Sequence, residues 1–399
     1  MFAGRYEEIT GLEQILFQTL NGNSSHFLIH GERGIGKSSL LLLINYIARG
    51  KMSLFKDRAY SFLTVNIELE PSDTYSNIVR KSARELQREI DKNESVKKLL
   101  KDVWAFITNW EVLGVKYSRE QVPAEVMLEE LAEKLCIVGD KLQTTEAGLF
   151  LFIDEADKPP IEANLGAFVK VLTERLTKRG CSNVGIGVVG ISDVISKMRR
   201  SHESSVRIFT PFELGPLLQQ ERKEVVQKGL AEAEKKNGFK VAIDEAALEM
   251  LATISEGYPH FIQQYAYSAF DEDKDNTIDL KDFWKALTKE NGALHQLGMR
   301  YFEKMYSKEI YSDDYRKVLQ VMSQNPTEYT SRQEIIKKSG LKTHTVDNAL
   351  TAMRKKSIIL VKSGKKGQYR LPSRSFATWI SAFKPIETAP DEQGVPPDR

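Results

Sequence analysis

The stretch Gly31-Glu32-Arg33-Gly34-Ile35-Gly36-Lys37-Ser38 decides how the rest of the chain is read. It fits the pattern G-x-x-x-x-G-K-[ST] of a phosphate-binding P-loop. Ahead of it, His26-Phe27-Leu28-Ile29-His30 reads as a short buried strand; behind it, Ser39-Leu40-Leu41-Leu42-Leu43-Ile44-Asn45-Tyr46-Ile47 reads as a helix. A turn from strand to helix lets successive backbone N–H groups converge on phosphate oxygens at the positive end of a helix dipole. Glycines belong where the backbone takes positive φ or comes close to the ligand. The cradle then runs from Glu32, Arg33, Gly34, Ile35 and Gly36 to Ser39. Lys37 reaches the β- and γ-phosphates, and the Ser38 hydroxyl ligates Mg²⁺.

The chain around this loop has 399 residues, room for two or three domains of ordinary globular composition. Its two cysteines, Cys136 and Cys181, form no C-x-x-C. That suits a reducing cytoplasm and argues against a disulfide framework or a zinc site. The N-terminus, Met1-Phe2-Ala3-Gly4-Arg5-Tyr6-Glu7-Glu8, does not read as a signal peptide, and no apolar run approaches membrane-spanning length. Charge is uneven. Arg300 to Lys384 holds 18 Lys/Arg against 7 Asp/Glu, an excess of +11 that leaves −9 for the rest of a chain with net charge +2. A basic C-terminal third on an acidic body points to an anionic partner.

In chain order, residues up to 25 predict an amphipathic helix carrying Ile9, Leu12, Ile15, Leu16 and Leu20. Phe62–Leu69 is a second strand, Asp73 to Trp110 a long charged helix, Glu111–Tyr117 a small hairpin, and Ala124–Leu142 another helix. Gly148-Leu149-Phe150-Leu151-Phe152-Ile153 is a continuous apolar run ending in Asp154-Glu155, the pattern of a central parallel strand that delivers carboxylates to the C-terminal edge of a sheet. A helix over Ile161–Thr177, a strand over Val184–Ile191 and a last strand over Arg207–Phe212 complete an α/β parallel sheet, a P-loop core over 1–214. Residues 215–306 read as an all-helical lid, with helices near Leu217–Lys236, Asp244–Ser255, His260–Asp271 and Leu280–Met305 and a turn at Gly257-Tyr258-Pro259. Asp271–Asp282 imitates a calcium loop, but Asn276 and Asp282 stand where glycine and glutamate belong, so it reads as a polar link.

Residues 307–384 predict a winged helix-turn-helix. Its helices are Asp313–Ser323, a second opened by the capping box Ser331-Arg332-Gln333-Glu334 and closed by Gly340, and Thr343–Lys356. Strands Ile358–Val361 and Gln368–Leu371 flank the basic turn Ser363–Gly367. The tail over 385–399 is rich in Pro, Asp and Glu and reads as disordered.

Lys37, Ser38, Asp154 and Glu155 form the chemical constellation. Asp154 holds Mg²⁺, and Glu155 polarises the attacking water. Together with Phe2-Ala3-Gly4-Arg5, Leu151-Phe152-Ile153-Asp154-Glu155-Ala156-Asp157 and Gly190-Ile191-Ser192-Asp193, in that order, these motifs resemble those of the initiator-type, origin-recognition-like AAA+ ATPases and the related STAND-group ATPases. The resemblance covers nearly the whole chain. It implies a five-stranded sheet of order 5-1-4-3-2, ATP/ADP between core and lid, side-by-side subunits, and an adenine-side segment at Gly4-Arg5. It places sensor 1 at Ser192 or Asp193, where the family carries Asn or Thr. In place of a lid arginine stand Pro259 and His260, in a turn more like that of STAND ATPases. Arg207, with Arg199 and Arg200 nearby, is the candidate arginine finger, so slow or partner-stimulated ATPase turnover is expected.

At the winged helix, Lys342, Thr343, His344, Thr345 and Asn348 fall where a recognition helix meets base edges. Arg332, Lys365 and Lys366 suit phosphates, as do Lys337, Lys338, Arg354, Lys355 and Lys356. The reading is an ATPase whose nucleotide controls assembly with like subunits or engagement of double-stranded DNA. Two alternatives stay open: a STAND-type signalling or defence switch whose winged helix docks a protein effector, and an accessory ATPase of a mobile-DNA system.

Overall fold

A computed structural model describes residues 2–54, 58–103, 123–143, 148–310, 312–326, 328–356, 358–362 and 364–385. The predicted hairpin at 111–117, the end of the long helix at Trp110, Ser363 of the wing turn and residues 386–399 of the tail lie outside this set. Two compact units emerge. One runs from Arg5 to Gly215, and the other takes the chain from Pro216 on together with the N-terminal residues up to Gly4.

The first unit is built on five parallel strands: β1 (His26–Gly31), β2 (Phe62–Glu68), β3 (Gly148–Asp154), β4 (Val184–Gly190) and β5 (Thr210–Leu214), in the order β2-β3-β4-β1-β5. This is the implied 5-1-4-3-2. Strands β1 to β4 are buried along nearly their whole length because both of their faces are covered, whereas the edge strand β5 is largely exposed. One face carries Phe27, Phe150 and Phe152. The glycines of β4 make room for these rings: a Cβ on Gly185 would stand 2.1 Å from the Phe150 ring, and one on Gly187 would stand 2.3 Å from Phe27. The opposite face packs Leu28, Val65, Leu151 and Val188 under helices α3 (Tyr75–Lys92), α5 (Ala124–Leu142) and α6 (Leu165–Lys178). Two further helices, α1 (Tyr6–Leu20) and α2 (Lys37–Ala48), precede β2, and α7 (Asp193–Ser201) follows β4.

Several predicted bounds are corrected. The long charged helix stops at Lys92, where Asn93 leaves helical geometry and caps a new short helix, α4 (Glu94–Leu99), by accepting from Ser95 N and Val96 N at 3.1 Å. The helix expected from Ile161 begins as a 3-10 turn, Ile161–Ala163. Asn164 at φ 53 then separates it from α6. Arg207 does not open the last strand. Ser205–Ile208 is a 3-10 turn pinned by the Ser205 hydroxyl on Met198 O at 3.0 Å, and pairing starts only at Thr210.

In the second unit, α8 (Gln219–Asn237), α9 (Glu245–Ile254), α10 (Pro259–Glu272), α11 (Leu280–Thr288) and α12 (Ala293–Leu297) occupy the segment expected as a lid. It is not purely helical: β6 (Ala242–Ile243) and β7 (Thr277–Ile278) pair in parallel. The helix predicted from Leu280 to Met305 breaks after Thr288, at Asn291 (φ 59) and Gly292, and resumes through α12 and two π turns, Gly298–Phe302 and Met305–Glu309. The imitation calcium loop caps a helix: Asp279 accepts from Asp282 N at 2.8 Å, and the Asp282 carboxylate returns the bond to Asp279 N at 3.3 Å.

The C-terminal segment holds α13 (Asp313–Ser323), α14 (Arg332–Ser339), α15 (Thr343–Lys355) and an antiparallel sheet β8-β10-β9 of Thr330–Ser331, Gln368–Arg370 and Leu360–Val361. Only half of the predicted capping box forms. Ser331 Oγ accepts from Glu334 N at 3.1 Å, while the Glu334 carboxylate turns to Lys338 at 2.7 Å. Ile358 and Ile359, expected in a strand, are buried ahead of it. A helix absent from the prediction, α16 (Arg374–Phe383), is capped by Ser373 and sends Phe376, Trp379 and Ile380 into the core. It fastens to α9 and α10: Tyr265 OH donates to Ser375 Oγ at 2.7 Å, and Ser375 Oγ donates to Ile254 O at 2.8 Å. The helices α8–α12 and the C-terminal segment thus share one apolar core.

Two glycine substitutions test this packing in opposite senses. Gly185→Ala should lower stability by about 1–3 kcal/mol through clash with Phe150. Gly229→Ala, in α8 with nothing within 4 Å of the new methyl, should raise it by roughly 0.5–1 kcal/mol. Urea titration followed by far-ultraviolet circular dichroism reads both.

Candidate nucleotide site

The loop between β1 and α2 is shaped by backbone that only glycine takes easily. Gly36 has φ 99 at the cap of α2, and a Cβ on Gly31 would sit 2.5 Å from Leu214 O of the neighbouring strand. Ile35 is buried and pegs the loop to the core, while Glu32, Arg33, Gly34, Ser38 and Ser39 are exposed. The first turn of α2 carries no acidic side chain, so its positive end is left uncancelled. Arg5, expected on the adenine side, is buried at φ 64; its guanidinium donates to Ile35 O at 3.3 Å and to Gly215 O, and pairs with Glu8 at 3.3 Å. It braces the loop. Gly4 belongs to the second unit, where it lies against the Glu221 side chain.

Lys37 Nζ donates to the loop's own carbonyls, Gly31 O at 3.1 Å and Glu32 O at 2.8 Å. Burial holds this ammonium below its ordinary pKa. The carboxylates of Asp157, Glu155 and Asp154 act against burial, and Arg33 acts with it. The two halves of the predicted constellation therefore lie within electrostatic reach of each other.

The carboxylates are placed by the end of β3. Glu68 pairs with Asp154 in register, and Leu69 N donates to Asp154 O at 3.1 Å. Asp154 Oδ1 accepts from Glu155 N at 2.7 Å. Glu155 takes φ 54, a left-handed backbone that costs a non-glycine residue roughly 1–2 kcal/mol. The turn is held by hooks to β4: Ala156 N donates to Val189 O at 2.9 Å, and Asp157 Oδ1 accepts from Ile191 N at 2.8 Å. Lys197 also donates to Asp157 O.

Two residues here were not singled out by sequence. Asp157 fastens the turn to β4 and contributes to the field at Lys37. Lys158 bridges Glu68, at 3.1 Å, and Glu155, at 3.8 Å, and the hydrogen bond to Glu68 raises its pKa. The signal was short-range in part: Lys158 lies three residues after Glu155.

The remaining candidates are more scattered. Asp193 opens α7, exposed, with Lys197 at 3.9 Å. Arg207 is exposed in its 3-10 turn; with Arg199, Glu203 and Val206 it lines a cavity of about 420 Å³. Pro259 and His260 open α10 in the second unit. The His260 ring packs 5.9 Å from Tyr301, and burial, then Arg300, lowers its pKa. In the C-terminal segment Lys342, Thr343, His344 and Asn348 are exposed along α15, Thr345 is half-buried, and Lys365 and Lys366 are exposed between β9 and β10. Arg332 makes a fork with Asp347, Nε to Oδ1 at 2.6 Å and a second bond at 2.8 Å, so its charge is already matched.

Residues 1–180 match the AAA ATPase domain family. Two solved structures share the fold along nearly the whole chain. The Walker-type ATPase of Pyrococcus abyssi superposes with a TM-score of 0.51 at 16% identity, over 95% of this chain and 96% of that one. The ORC2 protein of Aeropyrum pernix, in ADPNP–ADP complexes, superposes with a TM-score of 0.51 at 14% identity, over 95% and 94%. A search of curated proteins found no match. The N-terminal 180 residues thus match the model of the AAA ATPase domain family, and the chain shares the fold of these two solved structures. Among the described residues no helix is long and apolar enough to cross a membrane.

The left-handed backbone at Glu155 makes a direct prediction. Glu155→Gly should be more stable than Glu155→Ala by about 1 kcal/mol, because only glycine is relieved there. Equal stabilities in urea would mean that the turn is unstrained.

Proposed function

We propose that this chain binds and hydrolyses ATP at the loop between β1 and α2, and that nucleotide state governs assembly with like subunits or engagement of duplex DNA. The observation that carries the reading is the meeting of the Lys37 ammonium, at the uncancelled N-terminus of α2, with the field of Asp157, Glu155 and Asp154. An ammonium bonded, among the described residues, to main-chain carbonyls can exchange them for phosphate oxygens, which carry full charge. Ser38 and Asp154 offer the hard oxygen donors that suit Mg²⁺, which neutralises phosphate charge when bound. Glu155 is the group to orient water. Lys158 draws on the Glu155 carboxylate, and loosening that pair frees it to act as a base.

The three helices α13–α15 and the sheet β8-β10-β9 support a winged-helix reading. The exposed face of α15 would meet base edges, and the wing lysines Lys365 and Lys366 would meet phosphates. The Aeropyrum pernix neighbour was solved as ADPNP–ADP complexes, which is in keeping with an adenine nucleotide here. One observation favours a second reading, in which this segment docks a protein effector. Asp347 places an acid on α15, and Arg332 is occupied in neutralising it.

Lys37→Ala should abolish ATP binding in equilibrium titration while leaving the fold intact by circular dichroism; unchanged affinity would remove the site. Replacing Lys365 and Lys366 together by alanine should reduce the slope of log K for duplex DNA against log salt by about 2, weakening all sequences alike. Absence of DNA binding by the unmodified chain at low salt, with or without ATP, would favour the protein-docking reading.

A further inference from the structure

The two cysteines of the chain are remote in sequence, but the fold brings them together. Cys136 lies in α5, and Cys181 lies in the loop between α6 and β4; both are free thiols and at most 5% exposed, in the same apolar core. The loop approaches the helix closely at Gly139, three residues past Cys136 and so on the same side of α5. A Cβ on Gly139 would stand 2.8 Å from Asn183 Oδ1 and 3.0 Å from Val184. The Asn183 amide donates to Gly139 O at 2.6 Å, while its oxygen lies 3.9 Å from Cys181 Sγ. Asn183 thus clamps the loop to the helix turn that bears Cys136, which sets Cys181 beside that turn in the same apolar core.

We propose that Cys136 and Cys181 are a redox modification site, converted by hydrogen peroxide into an intramolecular disulfide that ties α5 to the segment entering β4. Their environments divide the labour. The neighbouring Cys181 thiol holds the Cys136 thiol below its ordinary range, against burial and the Asp140 charge. The neighbouring Cys136 thiol, then burial, pushes the Cys181 thiol far up, so it keeps its proton. Cys136 is therefore the attacking sulfur. Its thiolate takes one oxygen of peroxide: the S–O bond forms, the O–O bond breaks, and hydroxide leaves and is protonated to water. Cys181 sulfur then attacks the sulfenic acid; the S–S bond forms, the S–O bond breaks, and a second water departs with the Cys181 proton. The two sulfurs lose two electrons and the peroxide oxygens gain them. Burial selects an oxidant of this size and excludes bulky thiol reagents from the folded chain.

The test is peroxide treatment of the full-length native chain, followed by non-reducing peptide mass mapping. The expected product is one cross-linked peptide pair joining Cys136 to Cys181, the intact mass lowered by two hydrogens and restored by dithiothreitol, with Tm raised by several degrees only while oxidised. In Cys181→Ser, oxidation should stop at a Cys136 sulfenic acid, read as an intact mass raised by one oxygen; in Cys136→Ser, Cys181 should stay a free thiol. The inference is overturned if peroxide sufficient to oxidise exposed methionines leaves both thiols free, or if they oxidise independently to sulfinic acids or join only between chains.

Discussion

A single ammonium, that of Lys37, connects the parts of the first unit. It is held by the carbonyls of Gly31 and Glu32 and lies in the field of three carboxylates carried by the end of β3. A half-buried cation at the mouth of a parallel sheet is stable only if acids face it. Acids there are tolerable only if a cation or a metal faces them in turn. The site thus works as one electrostatic unit, and each half justifies the other.

The sheet supplies that meeting. β4 lies between β1 and β3, so the loop after β1 and the turn after β3 emerge from the same edge on either side of one strand. The turn bearing Glu155 is held in left-handed backbone by hooks onto β4 through Ala156 and Asp157. Strain of this kind persists where surrounding bonds over-determine it, and it commonly marks a site that places a group for chemistry. The glycines of β4 belong to the same design, because they let the sheet lie flush under Phe150 and Phe27.

What could be read from the sequence was what local spacing encodes. The P-loop and the apolar run ending in Asp154-Glu155 are written in contiguous residues; the strand order was implied by the family resemblance alone, and it matches the one found. The misses have particular causes. Asn93 and Gly292 interrupt helices whose charged or apolar patterns continue across them. Arg207 precedes a strand-like run, yet a serine hydroxyl on Met198 O turns that stretch into a 3-10 loop. Helix α16 has a legible start in Ser373, followed by Phe376, Trp379 and Ile380 at helical spacing, but a winged helix is already complete with its second wing strand, so no further element is expected there. Arg332 looked like a phosphate ligand because Asp347, its partner, lies on another helix. The roles of Asp157 and Lys158 and the pairing of the two cysteines arise from contacts between β3, β4 and their neighbours, which no local pattern announces.

The most direct measurement is a crystal structure of the full chain with Mg²⁺ and a non-hydrolysable ATP analogue, examined at Lys37 Nζ. The expected result is an ammonium that has left Gly31 O and Glu32 O for β- and γ-phosphate oxygens, with Asp154 and Glu155 facing the same phosphates. A nucleotide bound elsewhere, or a Lys37 still bonded to those two carbonyls beside an occupied loop, would contradict it.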